Sequence, residues 1–136
     1  MPLQFVETPD HLAIPKRLSI RAFGDTFNVL VGTTSLAAGT NILLSAAVAA
    51  DKLHVLQNIC YNYTGTVAGV YINVFILHAA VYYYLFGQPP LLTGQMYDRQ
   101  GTWLMKAGDQ LGMVIYGATL NDDAALWTNG YTVDLK

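Results

Sequence analysis

Short apolar runs, separated by glycine, proline and other turn formers, follow one another along most of this chain. The clearest run covers residues 53–63, where apolar and polar side chains alternate. Leu53, Val55, Ile59, Tyr61 and Tyr63 would share one face, and His54, Asn58 and Asn62 the other. A period of two is that of a strand with one covered face, so this segment is predicted to be a half-buried β-strand.

The remaining runs have the length of strands. They cover residues 18–23, 27–31, 68–77, 79–86, 103–105, 111–116 and 131–135, with turn signals such as Gly24-Asp25, Gly108-Asp109 and Asn129-Gly130 between them. Residues 42–50 are predicted to form a strand followed by a loop. Seven or eight strands at this spacing, without a helical period, predict an all-β fold: a single antiparallel β-sandwich or barrel, and specifically a jelly roll.

The first 18 residues differ from the rest, because three prolines and the absence of any sustained period favour an extended arm. We therefore expect an arm over residues 1–18 and a sandwich domain over residues 19–136. The apolar residues that would anchor the arm on a neighbouring subunit or on a capsid are Phe5, Val6, Leu12 and Ile14. The alternative is that Leu3 to Val6 form the first strand of the protein's own sheet. The N-terminus lacks the pattern of a secretory signal, so we expect the chain to work as written.

Charge is scarce and unevenly placed. Charged residues make up 12% of the 136 positions, and none occurs between residues 53 and 97. Polar and turn residues interrupt that stretch too often for a membrane span, so no membrane partner is expected. The net charge of −2 offers no cationic surface for nucleic acid.

A surface poor in charge and rich in tyrosine is typical of protein interfaces. The chain has nine tyrosines, two tryptophans and four methionines. Tyr82, Tyr83 and Tyr84 would place rings on both faces of one strand, and both faces would then need cover. With Trp103 and Trp127 they form the candidate interface of an obligate homo-oligomer, for which we expect a trimer.

No catalytic or cofactor-binding pattern is found. His11, His54 and His78 lack metal-ligand spacing and are expected to be structural. Cys60 is expected to be buried and inert, since no nearby cation would lower its pKa. The adjacent acids Asp122 and Asp123 are expected in a solvated turn, with a calcium loop that includes Asn121 as the alternative. No enzyme, cofactor or resident metal is therefore expected.

Four features in order resemble small β-sandwich structural proteins of tailed bacteriophages, such as head decoration (cement) proteins. They are the alternating strand that ends in Asn62-Tyr63-Thr64-Gly65, the β-branched run 70–77, the turn Ala107-Gly108-Asp109 after an apolar run, and the final strand that opens at Asn129-Gly130. The match spans residues 40–135 by position. The chain departs from the pattern at Tyr82-Tyr83-Tyr84 and Pro89-Pro90.

The resemblance implies a role in a virion. The expected function is that of a trimeric decoration protein on a phage capsid, with the major capsid protein or other virion proteins as partners. The alternative is a tail or fibre module that binds a host glycan through its aromatic residues. An enzyme of cupin type is the third reading, and a tightly held transition metal would support it.

Overall fold

The computed structural model describes residues 23–88 and 90–135, which form eight β-strands. The strands are β1 (Phe23–Thr33), β2 (Gly39–Leu44), β3 (Lys52–Thr64), β4 (Tyr71–His78), β5 (Val81–Gly87), β6 (Tyr97–Met105), β7 (Gln110–Ala118) and β8 (Asp123–Asp134). No helix in the described ranges is long and apolar enough to cross a membrane.

The strands form two four-stranded sheets. The first sheet has the order β1-β8-β3-β6 and the second has the order β2-β7-β4-β5, with every pair antiparallel. Of the consecutive strands, only β4 and β5 pair with each other, while the other connections cross between the sheets. Eight strands wound in this way are a jelly roll, which confirms the predicted all-β sandwich. The predicted arm over residues 1–18 lies outside the described residues.

The core lies between the sheets and takes alternate residues from the inner strands. Its largest fully buried side chains come from β8 and β3 of the first sheet, from β7 and β4 of the second, and from Leu36 in the β1–β2 loop. They include Leu56, Ile59, Tyr61, Tyr63, Ile72, Val74, Leu111, Met113, Ile115 and Leu126. Apolar alternation thus translates directly into a sandwich core.

The predicted faces of β3 are wrong over its first half, because the strand contains a β-bulge. The register against both neighbours shifts between Leu56 and Asn58, so one extra residue reverses the alternation. His54 and Leu56 therefore share the core side with Ile59, and line a small cavity of about 80 Å³ between the sheets. Val55 points outward instead, and is buried there between its cross-strand neighbours Leu104 and Tyr131.

Two predicted turns lie inside continuous strands. Gly24-Asp25 falls in β1, at a register shift between Phe23 and Thr26. Asn129-Gly130 falls in the middle of β8, where a Cβ on Gly130 would stand 1.9 Å from the carbonyl oxygen of Val55. The glycine there serves a close approach of two strands, and no turn is formed. The predicted strand and loop over residues 42–50 is confirmed, since β2 ends at Leu44.

A turn that the sequence pattern did not predict separates β4 from β5. Ala79 and Ala80 both adopt positive φ, at 47° and 67°. A two-residue hairpin with both central residues in this region has the character of a type I′ turn, which matches the twist of the strands it joins. Phe75 and the tyrosines of β5 therefore lie on neighbouring antiparallel strands.

Candidate functional site: an aromatic sheet face

The outward surface of the second sheet is built from alternate residues of its four strands. In β4 these are Tyr71, Asn73, Phe75 and Leu77, since Ile72, Val74 and Ile76 belong to the core. The cross-strand partners bring Tyr116 beside Tyr71 and Gly112 beside Phe75. Tyr84 and Tyr82 follow from β5, and Ile42 and Leu44 from β2. We call this surface the tyrosine face: Tyr71, Tyr82, Tyr84 and Tyr116 around Phe75, with Ile42 at its β2 side.

Phe75 forms the floor of the tyrosine face. Its ring points outward and is nevertheless fully buried. Tyr82 stacks on it, with 4.6 Å between ring centroids and 9° between the planes, and Tyr84 meets it edge-on at 5.9 Å. The ring crosses β7 at Gly112, where a Cβ would lie 2.4 Å from the Phe75 ring. The glycine thus makes room for the aromatic layer.

The tyrosines of this face also contact one another across strands. The side chains of Tyr84 and Tyr116 are neighbours: desolvation, followed by the proximity of Tyr116, raises the pKa of Tyr84. Tyr84 also meets Tyr82 edge-on, with 6.2 Å between ring centroids. Tyr116 lies 6.2 Å from Tyr71, centroid to centroid. Rings from β5, β4 and β7 therefore form one connected layer whose members hold each other in place. The exposed fractions are 50% for Tyr71, 39% for Tyr82, 53% for Tyr84 and 39% for Tyr116.

The second sheet carries no formal charge. Its four strands contain no aspartate, glutamate, lysine or arginine within their described bounds. Charged side chains lie instead on the first sheet and in loops, for example the Lys52–Asp134 ion pair, and Asp98 and Arg99 on β6. The strands of the second sheet are therefore free of charged side chains along their whole described length.

The predicted interface residues fall in several places. Tyr82 and Tyr84 belong to the tyrosine face. Tyr83, paired with Ile76, lies on the other side of β5 and lines an open cavity of about 390 Å³. Rings thus lie on both sides of β5, as predicted. The four anchors of the proposed arm, Phe5, Val6, Leu12 and Ile14, lie outside the described residues.

The two tryptophans lie away from the tyrosine face. Trp103 is half-buried at the edge of the sandwich, 6.3 Å from the ring of Phe86. Tyr61 stacks with Tyr97 beside it, and the Arg99 guanidinium lies over Phe86 at 4.9 Å. These residues close the gap between edge strands β5 and β6. Trp127 is half-buried on the outward side of the first sheet, where Cys60 is its cross-strand partner.

His78 takes part in a structural contact, as expected of a lone histidine. Its Nδ1 lies 2.5 Å from Oδ1 of Asp109, a nearly buried carboxylate. The other oxygen of Asp109 accepts a hydrogen bond from the backbone N–H of Lys106 at 2.8 Å. With Gly108 at φ 87°, this forms the predicted tight turn before β7.

Asp122 closes a turn, as expected, since its backbone N–H donates to the Thr119 carbonyl at 3.2 Å, but its half-buried carboxylate is bonded within the fold instead of being simply solvated. Its Oδ2 accepts hydrogen bonds from the Tyr63 hydroxyl at 2.9 Å and from the Thr66 backbone N–H at 2.8 Å. The Tyr63 oxygen in turn accepts the Thr119 N–H. The carboxylate therefore ties the β3–β4 loop to the β7–β8 loop. The described residues contain no group of three or more histidine, cysteine or acidic side chains arranged to hold a metal ion.

Cys60 is half-buried on the outward side of the first sheet, and not fully buried as expected. Its Sγ lies 2.9 Å from Oδ1 of Asn58 and 3.2 Å from Oδ1 of Asp98. Burial, followed by the hydrogen bond and the negative charge of Asp98, raises the pKa of this thiol to about 11. A neutral thiol is a poor nucleophile, in keeping with the predicted inertness.

Ile42, Tyr71 and Tyr116 are members of the tyrosine face that sequence reasoning missed. Tyr116 ends a predicted strand whose alternation already placed it opposite to Ile115. The missing information was the pairing of β4 with β7, which brings Tyr71 and Tyr116 together from distant parts of the chain.

No protein-family model matches this chain, and no curated protein sequence matches it. Among solved structures, a chain in a structure of infectious bursal disease virus, Gt strain, has a TM-score of 0.42 and 13% identity over 79% of this chain and 32% of that one. A chain of the Gx strain has a TM-score of 0.39 and 15% identity over 82% of this chain and 29% of that one. The present chain thus spans about a third of the length of these viral chains.

Proposed function

We propose that this chain is a non-enzymatic structural protein of a virion, and specifically a trimeric decoration protein on the outside of a bacteriophage capsid. The observation that carries the proposal is the tyrosine face, a connected layer of exposed rings on a sheet without formal charge. Such a face is costly to leave in water and is typical of assembling subunits.

Two further observations support the proposal. Jelly rolls are common in viral capsid proteins, although lectin domains and cupins share the architecture. Two loop carboxylates, Asp109 and Asp122, accept hydrogen bonds from within the fold and brace a turn and two loops. An assembly module needs a rigid scaffold of this kind.

The test is the composition of purified virions from the source of this sequence. Particles banded in a density gradient are analysed by quantitative mass spectrometry and by gold-labelled antibody against the full chain. The proposal expects the chain in a fixed ratio to the major capsid protein, with label on the head. Particles that lack the chain would overturn it.

The same virion preparation distinguishes a decoration protein from the alternative, a tail module that binds glycans. Label confined to the tail, together with binding of the full chain to a glycan array, would favour the glycan-binding alternative over decoration. The reverse result is expected, with label on the head and no array signal. A glycan reader would use the exposed rings of Tyr82, Tyr83 and Tyr84 as stacking platforms.

A further inference from the structure

We infer that the tyrosine face is the surface through which copies of this chain bind one another. The inference deepens the proposed function, because it assigns the subunit contact of the assembly to one sheet. In a trimer, three copies would turn this face toward a common axis, so that Tyr71, Tyr84 and Tyr116 of one copy meet the same sheet of its neighbours.

The charge pattern favours a second copy over a charged partner. Packing any lysine, arginine or carboxylate against this sheet would remove it from water without an opposite charge to pair with. Another copy of the same sheet brings only tyrosine hydroxyls and apolar groups, which hydrogen-bond or pack without that penalty. The charged surfaces of the protein, on the first sheet and in the loops, do not match the face in this way.

The exposed area of the tyrosine face is close to the lower limit for a specific contact. With about 200 Å² for each tyrosine side chain, the exposed fractions of the four tyrosines amount to roughly 360 Å². Ile42, which is 47% exposed, and the polar rim of Asn73 and Gln110 extend the patch. Two such faces approach the roughly 1,000 Å² of total buried surface that separates specific interfaces from incidental contacts.

The rings are also held in place before any partner arrives. Tyr82 is stacked on Phe75, and Tyr84 meets both of these rings edge-on. Since little side-chain freedom remains to be lost, association through this layer costs less entropy than association through independent surface residues. The face therefore resembles a preformed interface.

The experiment measures the mass of the full chain in solution by sedimentation equilibrium across a concentration series. The unmodified protein is expected to associate at micromolar concentration, with a mass of about 45 kDa for a trimer of the 14.9 kDa chain. Tyr71→Lys and Tyr84→Lys each place a cation in the contact and should weaken association by about 100-fold or more.

The matched control is Leu104→Lys. Leu104 is 55% exposed on the outward side of the first sheet, so this variant makes a similar change away from the tyrosine face. It should associate as the unmodified chain does. Tyr84→Phe keeps the ring and should retain association within a few-fold. Far-UV circular dichroism and thermal unfolding verify that each variant is folded.

The outcomes separate this inference from the proposed function. If the chain associates and folded Tyr71→Lys and Tyr84→Lys variants associate equally well, the interface is elsewhere, and the virion role stands on the particle analysis. If the unmodified chain is a monomer at about 100 µM, the inference is overturned. If it associates through this face and is absent from virions, the inference holds and the proposed function fails.

Discussion

Gly112 lies directly beneath the ring of Phe75, at a position where a Cβ would stand 2.4 Å from the ring and 2.7 Å from a methyl group of Leu44. Both side chains belong to the outward side of the second sheet, and the ring of Phe75 carries the stacked Tyr82. The absence of one side chain on β7 therefore determines how the aromatic layer lies. Gly112, in a central strand, thus leaves the space that the aromatic rings of the tyrosine face occupy.

Gly112→Ala is expected to lower the free energy of unfolding by about 1–3 kcal/mol, since the Phe75 ring must shift to accept the methyl group. The displaced ring should also disturb Tyr82 and weaken self-association. Urea denaturation gives the first effect and sedimentation the second. Adding Phe75→Leu to Gly112→Ala should cost less than the sum of the two single changes, because the smaller side chain leaves room. Strict additivity would show that the two positions do not interact.

Substitutions in the hairpin turn at Ala79-Ala80 are expected to raise the free energy of unfolding instead of lowering it. Both alanines hold positive φ, a region that costs non-glycine residues energy and that the Asn-Gly pair of type I′ turns accepts readily. The double variant Ala79→Asn with Ala80→Gly should therefore raise the free energy of unfolding, by about 1 kcal/mol. Ala49→Gly, in a loop position without positive φ, should bring no gain. A loss of stability in the double variant would contradict the turn geometry.

These two positions show what the sequence could predict and what it could not. Alternation and turn residues were sufficient for an antiparallel sandwich, because half-buried strands impose a period of two. The Ala79-Ala80 turn was not predicted, because alanine is rare at positive φ. The pairing of β4 with β5 overrides that conformational preference. The bulge in β3 was not predicted either, because one extra polar residue among Leu56, Gln57 and Asn58 reverses the faces without changing the pattern of residue types.

The sequence predicted the type of surface that forms the candidate site, but only some of the residues in it. The charge gap and Tyr82-Tyr83-Tyr84 pointed to an uncharged aromatic surface. Its extension to Tyr116 depends on long-range register between strands, which a single sequence does not contain.

Cys60 should react slowly with thiol reagents. With a pKa of about 11, its thiolate fraction at pH 8.5 is smaller by roughly 100-fold than that of a free cysteine of pKa about 8.5. Asp98→Asn removes the charge and should raise the rate several-fold, while burial, the larger cause, remains. The rate is measured with a disulfide reagent on the folded chain, with glutathione as reference. A rate equal to that of glutathione would contradict the environment described for the thiol.

Tyr61 should make stability depend on alkaline pH. Burial, followed by the proximity of Tyr97, raises the pKa of Tyr61 to about 12, against an ordinary value of about 10. Because the folded state favours the neutral phenol, its contribution is complete below pH 10 and is lost as pH rises toward 12. The loss amounts to about 2–3 kcal/mol at most. Denaturation curves at pH 9 and pH 11.5 should show a smaller loss for Tyr61→Phe than for the unmodified chain. Equal losses would mean that Tyr61 does not carry the effect.

Asp122 braces the loops at one end of the sandwich, and its removal should be costly. Asp122→Ala leaves the Tyr63 hydroxyl and the Thr66 N–H without their shared acceptor, at a cost of about 1–3 kcal/mol in the free energy of unfolding. Asp123→Ala is the matched control, since it removes the adjacent carboxylate at the start of β8 and should cost less than about 0.5 kcal/mol. Hydrogen exchange at Thr66 should accelerate in the first variant alone. If both variants lose the same stability, the pair acts through net charge, and the specific bonds of Asp122 contribute nothing beyond it.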